Sequence, residues 1–143
     1  MADLIYNNAL DLIANGEIDF SDDTFKVMLV TSSYSPDIDA DENRDDVDNE
    51  VTGEGYTEGG AEVNITATQD NDTDTAIVDS ADITWSAATI TDAAAAILYK
   101  VVGTAGTDLL IAYFDFGGNK SSSGADFKLI IDAAGWFTVA KGT

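Results

Sequence analysis

The chain of 143 residues has no cysteine and no histidine, and only six lysines and arginines stand against 27 aspartates and glutamates. Without cysteine there are no disulfides, thiolate nucleophiles or thiolate zinc sites. Without histidine there is no imidazole base for a Ser-His-Asp or Cys-His arrangement and no imidazole-held metal. Most hydrolytic and redox routes close with those two absences. Carboxylate-only chemistry of the glycosidase kind, or Mg2+-assisted phosphoryl transfer, survives in principle. Among so many acidic side chains, however, a pair at suitable separation arises by chance, and residue type without geometry does not make a site. The expectation is a protein that is not an enzyme.

Other signals are missing too. No apolar run approaches the length of a membrane-spanning helix. The first 16 residues carry Asp3 and Asp11 and no basic region, so they do not read as a secretory signal. No heptad run, collagen-like period or internal repeat is visible.

What the chain does have is a contradiction. Its formal net charge is -21, yet 45% of its residues are hydrophobic. Acidic disordered tails lack that apolar mass, because burial of apolar surface is what offsets the entropy of ordering a chain. The reading is a folded, soluble domain with an anionic exterior, one unit spanning 1–143. Such a surface repels polyanions, so neither nucleic acid nor anionic membrane is an expected partner. High salt would screen the self-repulsion, which makes a saline setting compatible with the composition.

Patterning divides the chain into a helical segment over 1–16 and a β region over 17–143. Ile5, Ala9, Leu12 and Ile13 fall at i, i+4, i+7 and i+8, one stripe of a short helix, with Asp3 placed to cap it and Gly16 to end it. Phe25, Val27 and Leu29 alternating with Lys26, Met28 and Val30 read as a strand. From Pro36 to Glu50 the periodicity collapses into a long exposed acidic loop, a kind that is often functional or mobile. Gly53, Gly55, Gly59 and Gly60 frame Tyr56 at a spacing suited to tight turns or close backbone approach. The spacing matches no phosphate-binding fingerprint.

Ala61, Val63, Ile65 and Ala67 alternate with Glu62, Asn64, Thr66 and Thr68 as one half-buried strand, followed by a turn at Asp70 to Asp74. Short strands are expected around Ala76 to Val78 and Ile83 to Trp85. Asp92 to Val102 is ambiguous, since Ala93 to Ala96 favours helix while Ile97, Tyr99, Val101 and Val102 favour strand; strand is the choice taken. Leu109 to Phe116 reads as a central strand, Lys120 to Gly124 as a polar turn. Phe127 to Ile131 and Trp136 to Ala140 read as a terminal hairpin around Asp132 to Gly135. Seven or eight strands at this spacing predict an all-β fold, an antiparallel β-sandwich of jelly-roll or immunoglobulin-like type with a short N-terminal helix.

Three groups of side chains invite a functional reading. Asp37, Asp39 and Asp41 form a D-x-D-x-D array, but Glu42 stands where an EF-hand needs glycine and Asp48 where it needs glutamate, so only a looser Ca2+ site is open to them. Asp70, Asp72 and Asp74 are a weaker version of the same array. Trp85, Trp136, Tyr56, Tyr99 and Tyr113 could line a sugar-binding face, although aromatics at strand positions more often pack. Ser121, Ser122 and Ser123 have no base to activate them.

Several segments in order resemble a family of small structural proteins encoded among the virion genes of tailed bacteriophages. They include Gly16-Glu17-Ile18-Asp19-Phe20, Thr24 to Tyr34, Gly53 to Gly60, Asp82 to Ile90, Leu110 to Gly117, Lys120 to Phe127 and Asp132 to Thr138, nearly the whole chain. The acidic stretch Asp37 to Glu50 and the run Ala93 to Ala96 depart from it. The resemblance implies a structural role and no catalytic residue. The function expected from it is capsid decoration: a cement protein on the outer surface of the head, made in the host cytoplasm. Its partner would be the major capsid protein or another virion protein, and by analogy with decoration proteins it would form a homo-oligomer such as a trimer. Ile5, Leu12 and Ile13 are the expected anchors, as a core lid or an arm on a neighbour, and Tyr56 an exposed aromatic contact. The alternative is a neck, tail or fibre component, with Trp85 or Trp136 on a host glycan. A stand-alone Ca2+ or carbohydrate-binding module comes third.

Overall fold

A computed structural model describes residues 3–142. In chain order it contains β1 (Leu4–Ile5), α1 (Asn7–Ala14), β2 (Phe25–Thr31), β3 (Ala61–Val63), β4 (Ile65–Asp70), β5 (Thr75–Ser80), β6 (Ile83–Lys100), β7 (Leu109–Leu129) and β8 (Phe137–Ala140). Five strands form one sheet in the order β1-β7-β6-β2-β3, and three form a second in the order β4-β5-β8. Every pairing is antiparallel. The fold is the expected all-β sandwich with one short helix.

The core lies where β2, β6 and β7 run side by side. Val27 to Val30 of β2 are buried without a break, as are Ala93 to Tyr99 of β6 and Leu110 to Ala112 of β7. A strand with partners on both edges and layers on both faces has no reason to alternate, which is why these runs read as continuously apolar. Alanine's helix preference at Ala93 to Ala96 is overridden because β2 and β7 supply backbone partners on both sides.

Five local expectations need correction. The helix begins later than its apolar stripe suggests: Leu4 and Ile5 are extended and pair with Tyr113 and Ala112, and Tyr6 is the N-cap. Tyr6 is fully buried with its hydroxyl 2.8 Å from that of Tyr34, and the amides of Asp3 and Tyr6 donate to Tyr113 O at 2.8 Å and Ile111 O at 3.1 Å, which holds these residues along β7. Asp3 caps nothing; its carboxylate accepts the amide of Asp115 at 2.6 Å. Gly16 does end the helix, in the left-handed region at φ +75°.

The alternating run 61–68 is not one strand. It divides at Asn64, so that Val63 pairs with Phe25 in the first sheet and Ile65 with Ser80 in the second. Lys120 to Gly124 is not a turn but the interior of β7, with Lys120 opposite Ala93 and Ser122 opposite Ile90.

The terminal hairpin does not form. Phe127 to Leu129 stays with β6, while β8 pairs with β5. Asp132 to Gly135 turns as expected, but it carries the chain from one sheet to the other. Trp136 decides this: it is fully buried, its amide donates to Val78 O at 2.7 Å and its indole N–H to Ser80 Oγ at 3.0 Å.

The acidic loop is anchored. Asn43 and Asp46 cap a single 3-10 turn at Arg44–Asp46, and Asn43 bridges to Leu109. Arg44 Nε donates to Asp108 Oδ2 at 2.9 Å, and the Arg44 and Asp45 amides donate to Asp108 O and Ala105 O.

Candidate functional site

Helix α1 and strand β8 lie next to each other and leave a groove of about 310 Å3 between them. The helical side supplies Leu10, Ile13 and Ala14, with Ile5 from β1; the strand side supplies Phe137 to Ala140. Leu12 turns inward and is buried, whereas Leu10 is 53% and Val139 46% exposed. The strand wall is held from behind. Phe137 meets Phe20 edge-on at 6.0 Å, and Phe20 stacks on Phe25 of the opposite sheet at 5.4 Å.

β8 is the outer strand of its sheet, with β5 on one edge and, among the described residues, no strand on the other. An edge of this kind presents unpaired backbone donors and acceptors and is a template for another chain. Here it borders an apolar groove, so backbone hydrogen bonds and side-chain burial are available together.

Two of the expected anchors, Ile5 and Ile13, meet in this groove, and Leu12 lies beneath it. Tyr56 is elsewhere and is half-buried instead of exposed. Its hydroxyl donates to Glu50 Oε1 at 2.7 Å and accepts the Leu29 amide at 3.0 Å. Burial and the adjoining Glu50 carboxylate push this phenol well above its ordinary range, so it stays protonated. Leu10 escaped the sequence reading, though it carried a signal: it is an apolar residue off the helix's buried stripe. Val139 carried none, since its alternation with Phe137 is what a core position also shows.

The other candidates have structural partners. Asp37 Oδ1 accepts the amides of Asp39 and Ala40, each at 3.1 Å; Asp41 Oδ2 accepts the Asp37 amide at 3.0 Å and the Tyr34 hydroxyl at 2.7 Å. Asp39 accepts Asn7 Nδ2. These carboxylates shape the loop and tie it to Tyr34. Asp70 Oδ1 likewise accepts the Asp72 amide at 2.9 Å. Among the described residues no three acidic side chains gather in a way that could hold a metal ion. Trp85, Trp136 and Tyr99 are buried, so they pack and do not face a glycan. Trp85 lies between Tyr56 and Phe127, with centroids at 5.9 and 6.0 Å.

Comparison with family models, curated proteins and solved structures finds no match for this chain. The site is therefore read from its own geometry. No helix among the described residues is long and apolar enough to cross a membrane.

Proposed function

We propose that this chain is a virion structural protein of a tailed phage, most specifically a capsid decoration protein that binds the outer face of the head shell and stabilises it. The observation that carries this reading is the apolar groove of Ile5, Leu10, Ile13 and Val139 beside the unpaired edge of β8. The occupant is an extended segment of the shell protein that adds to β8 as a fourth strand and places alternate apolar side chains in the groove. Its flanks are basic, because a net charge of -21 on this chain repels an acidic neighbour and steers a cationic one.

Cementing follows from mass action. A domain that binds only the assembled shell stabilises it, and copies repeated by the shell's symmetry, or linked as a homo-oligomer such as a trimer, gain avidity. Copy number is the test. Quantitative mass spectrometry of purified particles is expected to find this chain on the order of hundreds per head, as a symmetric covering requires. A handful of copies would instead support the neck, tail or fibre reading.

A further inference from the structure

The long β6–β7 ladder is irregular in its middle. Its register shifts four times between Trp85 and Ala95, and the non-glycine residues Ala87 and Asp92 sit in the left-handed region at φ 48° and 56°. Side chains replace ladder bonds there: Asp126 Oδ1 accepts the Ala87 amide at 3.0 Å, and Ser121 Oγ accepts the Asp92 amide at 2.9 Å. Bulges and strained backbone cost stability, and they recur where a strand is re-aimed around a binding site.

Beside this stretch lies a pocket of about 380 Å3 lined by Phe114, Phe116, Lys120, Ser121, Asp126 and Lys128 among others. Two of the chain's six cationic residues are here. Phe114 and Phe116 meet edge-on at 5.7 Å, both partly exposed, and Phe127 backs them at 6.5 Å from Phe116. Lys128 reaches Asp82 at 3.3 Å but its side chain is 53% exposed; among the described residues Lys120 has no ion pair.

We propose that this pocket binds a carboxylate-bearing sugar of the hexuronate class. The chemistry of the lining selects it. The Lys120 ammonium, without an ion pair among the described residues, matches one carboxylate, and a ring's C–H face covers the phenylalanines. Asp126 Oδ2 takes no part in the bond to Ala87 and accepts a sugar hydroxyl, while the Ser121 hydroxyl proton is available to donate. A simple inorganic anion would face Asp126 with nothing to offer it and would leave the aromatic floor wet. The volume suits one or two sugar rings and is at the small end for ligand pockets. This site is separate from the β8 groove and does not depend on the decoration reading.

The test is an NMR titration of the whole chain with galacturonate, glucuronate, the corresponding neutral hexoses, sulfate and a short acidic peptide. Saturable shifts confined to residues 114–128 are expected with at least one uronate at millimolar concentration. Binding by the matched neutral hexose should be about tenfold weaker, the value of one charge-assisted contact. Lys120→Gln should weaken uronate binding by about tenfold on the same basis, and Phe116→Ala should abolish it. Both variants need the wild-type amide spectrum outside the pocket; if Phe116→Ala disturbs it, Lys120→Gln alone decides. The proposal is overturned by no uronate binding, by equal binding of the neutral sugar, by sulfate matching the uronates, or by preference for the acidic peptide.

Discussion

Arg44 and Asp108, 64 positions apart, are joined by a 2.9 Å hydrogen bond between opposite charges, and Asp108 is only 3% exposed. Asp108 also accepts the amides of Val102 and Gly103 at 2.8 and 3.0 Å, and the Arg44 guanidinium lies 5.6 Å over the Tyr99 ring. One buried carboxylate thus fastens the acidic loop to the β6–β7 connection.

Arg44→Ala is expected to destabilise the fold by about 3 kcal/mol, because it takes the counter-charge from a buried carboxylate and leaves it only the Val102 and Gly103 amides, and Asp108→Asn by about 2 kcal/mol. Chemical denaturation would measure both. Losses below about 0.5 kcal/mol would mean that the loop is not anchored by this pair.

The same pair sets a pH dependence. Burial alone would raise the Asp108 pKa, but the Val102 and Gly103 amides and Arg44 outweigh it and hold it below the usual carboxylate range. A depressed folded value means that the stabilisation is fully present above the unfolded pKa of about 3.9 and disappears as pH falls through the folded one. The stability gap between wild type and Asp108→Asn should therefore stay constant from about pH 7 to 5 and shrink below about 4. Taking the difference removes the general relief of acidic repulsion common to both proteins.

Gly60 and Gly16 share a positive φ, +80° and +75°, but not their surroundings. A Cβ on Gly60 would lie 1.8 Å from Val27 O, whereas one on Gly16 meets nothing within 4 Å. Gly16→Ala should cost about 1 kcal/mol from backbone strain alone. Gly60→Ala should cost about 3 kcal/mol or prevent folding, because β3 must then move off β2. Equal melting temperatures for the two variants would contradict the close approach.

Charge gives a further prediction. With -21 on 143 residues, melting temperature should climb as NaCl is raised from low to molar concentration, since salt screens the repulsion. A flat or falling curve in scanning calorimetry would show that self-repulsion does not limit stability.

The all-β class was legible because alternation at 61–68 and the apolar runs at 25–30 and 109–114 are local signals. What was not legible depends on distant partners. Lys120-Ser121-Ser122-Ser123-Gly124 has turn composition, yet pairing with β6 keeps it in the ladder, Lys120 opposite Ala93 and Ser122 opposite Ile90, with the irregularity shared between bulges on both strands and Gly124 at φ +60°. Phe127 and Trp136 look like hairpin neighbours until Trp136 is seen to be fastened to β5 across the sandwich. The groove was half legible: Ile5 and Ile13 stood out by their helical spacing, although Ile5 turns out to be in a strand. Leu10 and Val139 become notable only once their exposure is known.

The groove beside β8 is the centre of the account, and binding to emptied, expanded heads tests it most directly. Leu10→Asp combined with Val139→Asp alters two exposed side chains, so stability should change by no more than about 1 kcal/mol. In a sedimentation assay the wild-type chain should saturate the heads, and the doubly substituted chain should bind at least about tenfold more weakly, the loss of two apolar contacts. Undiminished binding by a folded double variant would contradict the account.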